Sequence, residues 1–480
     1  MHEAGITLLD CDHKTPKTQN EGLPYVGIPQ LKDGRVTLAG ARLISNDDFV
    51  HWRRKAKPSP HDVVLSRRCN PGETAYVPAG LEVALGQNLV LLRSDGARVF
   101  PKFLRWVVKT PNWWYQVGKY INVGAVFDSL RCADIPKFEI TLPPIEAQIR
   151  IDEILSSIDS RIELNQEINR NLEQIAQAIF KSWFVDFEPV NAKQHIRAIG
   201  GNDEQTERAA QAVIAGAVNL DVITGATELS ALDQQLVEAL SEKLAYQTDE
   251  QREQLVGTSR HFPDRLVESE LGLIPQGWAA STIDNECDLI IDHRGKTPKK
   301  LGGEWSAHGY PAISAKNIKN GRLLNLESIR YVKKSLYRKW MSDELAFGDV
   351  ILTSEAPLGE VYYLASKDRY VLSQRLYGLR ARAESISGSF LYYWLRSSAG
   401  RADLESRGTG TTVIGIRQSE LRKIAILRPS RGLVKEYTAV ANRIHEEINC
   451  LHTESGCLTK TSDALLPKLL SGELSVDKVA

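Results

Sequence analysis

The stretch DVVLS at Asp62–Ser66 returns as DVILT at Asp349–Thr353, and this pair reveals an internal repeat. Four more stretches recur. They are Gly34-Arg35-Val36 with Gly321-Arg322-Leu323, Leu85-Gly86-Gln87 with Leu372-Ser373-Gln374, Phe103-Leu104 with Phe390-Leu391, and DHKTPK at 12–17 with DHRGKTPK at 292–299. From Gly34 to Leu104 the offset is a constant 287 residues, a regularity not expected by chance. The sequence therefore predicts two copies of one fold.

Each copy has the pattern of a mixed α and β domain. Short β-branched runs bounded by polar residues and glycines predict strands, and the aromatic-rich stretches Phe103–Val108 and Phe390–Leu395 predict short helices. We therefore expect an α/β (α+β) fold with two similar globular domains, a first domain at 1–142 and a second domain at 272–432. The second copy opens with Gly272–Trp278, for which the first copy has no match.

After each domain, apolar residues recur every seven positions. The repeating positions are Ile151, Ile158, Asn165, Leu172 and Ile179 after the first domain, and Tyr437, Ile444, Leu451, Leu458 and Leu465 after the second. This period predicts a first spacer helix within 143–190 and a second spacer helix, followed by a tail, within 433–480. A two-fold relation between the copies would pair the two helices as an antiparallel coiled coil.

Such a pair could set the distance between the two domains. A helix of about 32 residues spans roughly 48 Å at 1.5 Å per residue, which corresponds to about 14 base pairs. A coiled coil without a measuring role remains the alternative. Asn165 interrupts the seam where the other copy has Leu451, and it either fixes the register or faces solvent or a partner. Gly456 and Pro467 predict that the second spacer helix bends or stops.

The net charge of zero conceals an uneven distribution. Residues 1–142 carry 19 basic and 14 acidic side chains, and residues 272–432 carry 25 and 16. The segments 143–190, 191–271 and 433–480 are acidic. Two separate basic domains are typical of surfaces that bind phosphate, although ordinary surface variation remains an alternative. Segment 191–271 is predicted to be a helical acidic linker without a core of its own; docking of a partner subunit remains open.

Composition excludes several classes of protein. No run of 18 apolar residues predicts a transmembrane helix, and no secretory signal is visible, so we expect a cytoplasmic protein without membrane contact. The six cysteines are scattered without a CxxC pair, which argues against a zinc site and against disulfides. We therefore expect no metal site.

Motifs of catalysis are missing from the sequence. Leu142-Pro143-Pro144-Ile145 lacks the polar and aromatic flanks of a DNA amino-methyltransferase turn, and no P-loop, dinucleotide fingerprint, zinc-protease helix or nucleophile elbow occurs. His13 and His293 recur at matched positions, but neither has the spacing of a metal ligand, so a polar loop contact is the favoured interpretation. We expect no catalytic residue and no cofactor in this chain.

Candidate DNA contacts concentrate in a few polar loops of the two domains. Their Lys, Arg, His, Thr and Asn side chains suit phosphates or base edges, although each could be a solvated surface group. The candidates are His13, Lys14, Thr15, Lys17, Arg67, Arg68, Asn70 and Asn88 in the first domain and His293, Arg294, Lys296, Thr297, Lys299, Lys316, Asn317 and Arg375 in the second. Gln87 and Gln374 match across the repeat, which favours a role in the shared fold. Arg67-Arg68 faces Ser354-Glu355 in the alignment, so the two domains are expected to read different bases.

Several stretches resemble type I restriction–modification specificity subunits. They are Leu142–Gln148, Ile158–Asn165, Ala178–Pro189, Phe262–Asp264, Glu268–Gly272, Ile274–Trp278 and Leu466–Glu473. The resemblance implies two target-recognition domains that read an asymmetric bipartite site on double-stranded DNA. It also implies spacer helices that pair and dock partners, with Trp183 and Phe184 contributing alongside the heptad residues. The first domain departs from the family pattern by its short start, and the linker departs by its length.

The resemblance implies that methylation and cleavage are carried out by partner subunits. Two modification subunits would carry S-adenosylmethionine and methylate adenine, and restriction subunits would use ATP and Mg²⁺ for translocation and cleavage. The chain itself would be a non-catalytic DNA-reading subunit. Two other hypotheses remain: a stand-alone DNA-processing enzyme with an unrecognised site, and a coiled-coil scaffold without a DNA role.

Overall fold

The computed structural model describes residues 1–475 except 13, 33, 125 and 126. The chain divides into two compact units, one formed by Met1–Asn165 with the segment that begins at Thr453, the other by Gln166–His452. Each unit holds one globular domain together with parts of both spacer helices. The domain boundaries set from sequence remain predictions.

The first domain is built on a six-stranded sheet. In spatial order its strands are Ile6–Asp10, Leu89–Ser94, Val63–Ser66, Thr74–Tyr76, Arg35–Val36 and Leu31–Lys32. A smaller sheet contains Arg42–Ile44, Leu23–Val26 and Ala84–Leu85. The helices are Asn46–Trp52, Leu104–Val107 and Pro111–Tyr120, with 3₁₀ turns at His2–Ala4, Ile28–Gln30, Pro101–Phe103 and Ile135–Lys137. Val63–Ser66 is buried at every position, as its β-branched sequence predicts for a central strand.

The second domain has a four-stranded sheet of the same order, Cys287–Asp292, Leu376–Ala381, Val350–Thr353 and Val361–Tyr363. A three-stranded sheet contains Arg330–Val332, Tyr310–Ile313 and Val371–Leu372. Strand pairs are Ile318–Lys319 with Arg322–Leu323, Ala279–Thr282 with Ala425–Arg428, and Leu266–Ser269 with Gly272–Pro275. The helices are Ile283–Glu286, Lys334–Trp340, Gly388–Arg396, Ser398–Ser406 and Gln418–Leu421, with 3₁₀ turns at Lys299–Leu301, Ala315–Asn317 and Leu326–Ser328.

An ion pair on a buried aspartate marks the same place in both copies. Arg93 Nη2 donates to Asp62 Oδ2 at 2.6 Å, and Arg380 Nη2 donates to Asp349 Oδ2 at 2.8 Å. Both aspartates are 2% exposed or less, and both pairs are related by the 287-residue offset. The predicted repeat is therefore confirmed as two copies of one fold.

The spacer helices run from Ile145 to Phe184 and from Arg431 to Ser471. In the first unit, Ile151 shares a core with Leu469, while Asn165 contacts Ser455. In the second unit, rings of Phe180 and Phe184 pack on Tyr437. Residue numbers rise on one helix where they fall on the other, so the predicted antiparallel pairing is confirmed within each unit.

The second spacer helix is longer than its sequence suggests. It continues through Gly456 and Pro467 to Ser471, so it does not stop at either residue, and the alternative of a bend there stays a prediction. Mid-helix glycine is tolerated at a cost, and proline near a C-terminus removes only one intrahelical bond. No helix among residues 1–475, apart from the four undescribed positions, is long and apolar enough to cross a membrane.

The linker folds into five helices, Glu188–Ala198, Asp203–Ile214, Leu220–Thr224, Leu229–Leu244 and Asp249–Ser259. The expectation that it lacks a core was wrong. Its buried cluster contains Ala192, Ile196, Ala209, Ala212, Val213, Ile223, Leu232, Leu236, Leu240 and Leu255. Alanines let the helices approach closely, so a core forms without aromatic residues. The buried Lys193 Nζ donates to the carbonyls of Ser259 and Phe262 at 2.8 and 2.9 Å, which ties the first linker helix to the end of the last.

Candidate nucleic-acid interface

Most candidate DNA contacts lie at the surface of their domain. Lys14, Thr15, Lys17, Arg68 and Asn70 are exposed in the first domain, and Arg294, Lys299, Lys316 and Arg375 are exposed in the second. Asn88, Lys296 and Thr297 are half-buried. His13 lies outside the described residues.

Three candidates are buried, and their assignment as DNA contacts is corrected. Arg67 is 8% exposed and Asn317 is 1% exposed. Arg67 Nη1 donates to the Leu130 carbonyl at 3.5 Å. Asn317 Oδ1 accepts from the Ser314 amide, and its Nδ2 donates to the Leu324 and Asn325 carbonyls, so its side chain closes its own loop. The sequence suggested that Asn317 is exposed, because an asparagine in a polar loop gives the same sequence pattern whether its side chain faces solvent or is buried.

His293 is also buried, at 4% exposure, with Nδ1 3.2 Å from Met341 Sδ. Burial, with a smaller contribution from Lys296, lowers the pKa of His293 below its ordinary value. The ring is therefore neutral at neutral pH and is not a cation for phosphate. Lys296 Nζ donates to the Trp340 carbonyl at 2.7 Å, so one of its hydrogen-bond donors is used within the domain.

The second domain contains a surface cleft with a volume of about 390 Å³. Thr297, Ser314, Lys316 and Gln374 line it, together with Arg375. Trp305 and Arg330 also line it, and the Arg330 guanidinium lies 4.1 Å from the Trp305 ring centroid. This contact is worth about 0.5–1 kcal/mol at an exposed site and keeps the cation at the cleft wall.

The first domain contains a cleft of about 330 Å³ at the equivalent place. Ten lining positions correspond across the repeat: 15 with 297, 25 with 312, 27 with 314, 28 with 315, 29 with 316, 30 with 317, 42 with 330, 86 with 373, 87 with 374 and 88 with 375. Two separately folded copies therefore form the same cleft.

The same backbone hydrogen bonds shape both clefts. Arg67 N donates to Asn88 O at 2.9 Å, and Ser354 N donates to Arg375 O at 2.8 Å. The turn at Gly27–Gln30 is closed by a side-chain oxygen at 3.0 Å, as the Asn317 turn is at 3.1 Å. Asn317 and Gln30 are thus equivalent supports of the cleft frame.

Charge differs between the two clefts. Lys296, Lys316, Arg330 and Arg375 line the cleft of the second domain, whereas Arg42 is the basic residue in that of the first. Carboxylates are missing from the described lining of either cleft. An anionic strand is therefore the ligand that both clefts favour, more strongly in the second domain. Sequence reasoning missed Arg42, Trp305 and Arg330, because only the fold brings them to the cleft.

A second pair of equivalent positions lies beside the clefts. Arg68 is exposed and its guanidinium lies 5.7 Å from the Phe127 ring centroid, whereas Glu355 at the same position forms an ion pair with Arg375, with Oε1 3.0 Å from Nε. Asn70 Nδ2 donates to Glu73 Oε2 at 3.1 Å. The loops therefore carry opposite charges where their backbones agree.

The spacer-helix candidates lie mainly against their own unit. Ile151 is buried, and Ile158 and Leu465 pack at the edge of the first-domain core. Trp183 and Phe184 are buried in the second-domain core, with Ile179 and Ile444 packed against it, so these aromatics stabilise this chain and do not face a partner. Leu451 is buried, and Leu172 and Leu458 are half-buried.

Asn165 faces the second spacer helix. Its side chain is fully buried, and Nδ2 donates to Glu454 Oε2 at 2.9 Å. Arg161 Nε donates to the other oxygen of Glu454 at 3.0 Å. Asn165 therefore does not face solvent, and its role in fixing the register stays a prediction. No cluster of three metal-ligating side chains occurs among the described residues.

Comparisons with known proteins agree with this geometry. The model of the type I restriction modification DNA specificity domain matches residues 10–174 and 275–431. The chain is 27% identical over 446 residues to the type I restriction enzyme HindI specificity subunit of Haemophilus influenzae, covering 90% of each. It is 22% identical to the MjaIX specificity subunit of Methanocaldococcus jannaschii, covering 85% of this chain and 78% of that one.

A solved structure gives a weaker likeness. The S subunit of a type I restriction–modification system from M. genitalium matches with a TM-score of 0.49 and 12% identity, covering 97% of this chain and 93% of that one. A similarity at this TM-score does not by itself establish a shared fold. The family model, which matches both domains separately, is sufficient: this chain belongs to the type I restriction–modification DNA specificity family.

Proposed function

We propose that this chain reads an asymmetric bipartite sequence on double-stranded DNA, one half with each domain. The observation that carries the proposal is the pair of equivalent clefts with different rims. An identical frame gives both domains the same way of holding a DNA strand, and different side chains give them different base preferences. The relatives' names as specificity subunits support the same role.

The chemistry of the complex is proposed to belong to partner subunits. Two modification subunits would bind S-adenosylmethionine and methylate adenine, and restriction subunits would use ATP and Mg²⁺ for cleavage. Exposed apolar residues on the first spacer helix support partner docking: Leu164 is 46% exposed and Ile175 is 49% exposed. The exposure of Ile175 leaves it free for such a contact.

The experiment is methylome sequencing of a host with and without the gene for this chain. We expect one bipartite adenine mark to disappear on deletion and to return on complementation. Retention of every bipartite mark in the deletion strain would refute the proposal. Metal-dependent cleavage by the purified chain alone would favour a stand-alone enzyme, and an assembled complex without sequence preference would favour a scaffold.

A further inference from the structure

The residues Asn88 and Arg375 occupy the same position on the rims of the two clefts. We infer that this position decides which base pair is read in each half-site, with Arg375 selecting guanine and Asn88 selecting adenine. The inference rests on the function proposed above and adds the residues that discriminate.

The shared frame narrows the choice of discriminating residue. The backbone bonds at 67/354 and 88/375 are the same in both copies, although φ is positive at Arg375 and not at Asn88. With the two loops held by the same bonds, the side chains are the main source of a difference in specificity. Gln87 and Gln374 are identical and cannot supply that difference. Gly27 with Ser314 and Gly86 with Ser373 place a polar side chain in the second domain alone. The contrasts that involve a longer polar side chain on the rim are Pro29 with Lys316 and Asn88 with Arg375.

Side-chain chemistry separates these two contrasts. Proline has no side-chain donor, and lysine is a flexible point charge suited to a phosphate. Arginine pairs with the O6 and N7 atoms of guanine, and asparagine pairs with the N6 and N7 atoms of adenine. Among the positions that line both clefts, only the one shared by Asn88 and Arg375 therefore carries groups that select different bases in the two domains.

The structure presents Arg375 for such a contact. Its side chain is 50% exposed, and its Nε atom lies 3.0 Å from Glu355 Oε1 in an ion pair. That ion pair orients the guanidinium while its Nη atoms remain available for a base edge. Arg375 also has φ +70°, a conformation that costs energy for this residue and recurs at functional sites.

The test uses Arg375→Asn in the complex assembled with its modification subunits. Methylation of an oligonucleotide library, randomised across both half-sites, gives the preference at every base pair. We expect discrimination in favour of guanine to fall roughly 10- to 100-fold at one position of one half-site, with the other half unchanged. Asparagine tolerates positive φ better than arginine, so the substitution suits the backbone.

Arg382→Asn is the matched control. Arg382 is 46% exposed and pairs with Asp288 at 3.0 Å, much as Arg375 pairs with Glu355, but it lies outside the cleft lining. The reciprocal Asn88→Arg should change one position of the other half-site from adenine to guanine. This second variant keeps the inference falsifiable if Arg375→Asn fails to assemble.

The wild-type complex tests the proposed function, and the variants at Asn88 and Arg375 test the assignment of this position. A wild-type complex without a preferred sequence would overturn the function. A sequence-specific wild-type complex whose preferences survive both Arg375→Asn and Asn88→Arg would overturn only the assignment of this position. Loss of preference in both half-sites from Arg375→Asn alone would also contradict it, because the inferred contact belongs to one half.

Discussion

Adjacent arginines in the first domain have opposite surroundings. Arg67 is buried on the strand side of its loop, and its Nε atom has no hydrogen-bond partner among the described residues. Arg68 is exposed beside Phe127. Successive side chains at a strand end point to opposite faces. Because both residues are arginines, the sequence did not show which of the two is buried.

The two arginines should therefore respond differently to substitution. Arg68→Ala is expected to change base preference in one half-site without changing the midpoint of urea unfolding. Arg67→Ala should lower the free energy of unfolding by about 1–3 kcal/mol, because it removes buried contacts. Half-site methylation and urea unfolding measure the two effects. Equal destabilisation by both variants would contradict the assignment.

His445 gives a prediction about acid. It lies among the rings of Tyr363, Tyr392 and Tyr393, and burial lowers its pKa from 6.5 to about 4. Between about pH 6.5 and pH 4, His445 is protonated in the unfolded chain and neutral in the folded chain. Stability is therefore lost as pH falls from about 6.5 towards 4. The contribution reaches about 2 kcal/mol at pH 5.

His445→Gln tests this dependence. Thermal unfolding of the wild type between pH 7 and 5 should show a steeper loss of stability than unfolding of the variant. His452→Gln is the control, because His452 is exposed on the same helix. Parallel pH profiles for wild type and His445→Gln would exclude His445 as the titrating group.

At the scale of elements, a polar cluster attaches the first spacer helix to the second domain. Glu173 accepts from the Tyr392 hydroxyl at 3.2 Å and the Tyr393 hydroxyl at 3.4 Å, and it pairs with Arg396. The Glu173 and Arg396 side chains are 23% and 21% exposed. Aromatic and charged groups of the predicted short helix thus turn towards the spacer.

Glu173→Ala should lower the free energy of unfolding by about 3 kcal/mol, because it leaves Arg396 largely buried without its partner. Urea unfolding measures the loss. Glu167→Ala, at an exposed position of the same helix, should change stability by less than about 0.5 kcal/mol. Glu173→Gln retains a hydrogen-bond acceptor, so its loss in free energy of unfolding should lie between those of Glu173→Ala and Glu167→Ala. An unchanged free energy of unfolding for Glu173→Ala would show that the cluster contributes nothing to stability.

At the scale of the whole molecule, segregated charge lets a neutral chain bind a polyanion. The second domain carries nine more basic than acidic residues, counting 25 against 16 over residues 272–432. DNA binding by the full chain is therefore expected to weaken roughly 10³-fold between 50 and 200 mM salt, despite a net charge of zero.

Fluorescence anisotropy across salt concentrations measures this dependence. Lys316→Ala, at the cleft rim, should reduce the slope of log affinity against log salt by about 1. Lys243→Ala, exposed on the linker, should leave the slope unchanged. A slope near zero for the wild type would contradict phosphate binding by the two basic domains.

The sequence by itself determined the repeat, both spacer helices and the family, because these are periodic or local: a 287-residue offset, a heptad and short motifs. It also located the loops that form the clefts. It could not separate exposed Arg68 from buried Arg67, nor exposed Arg375 from buried Asn317, since polar identity does not encode burial. It missed the linker core, because alanines carry a weak apolar signal. Only the tertiary structure brought Trp305 and Arg330 to the same cleft as Arg375, because those residues are distant in sequence. Arg330 reaches the cleft through strand pairing with Ala312.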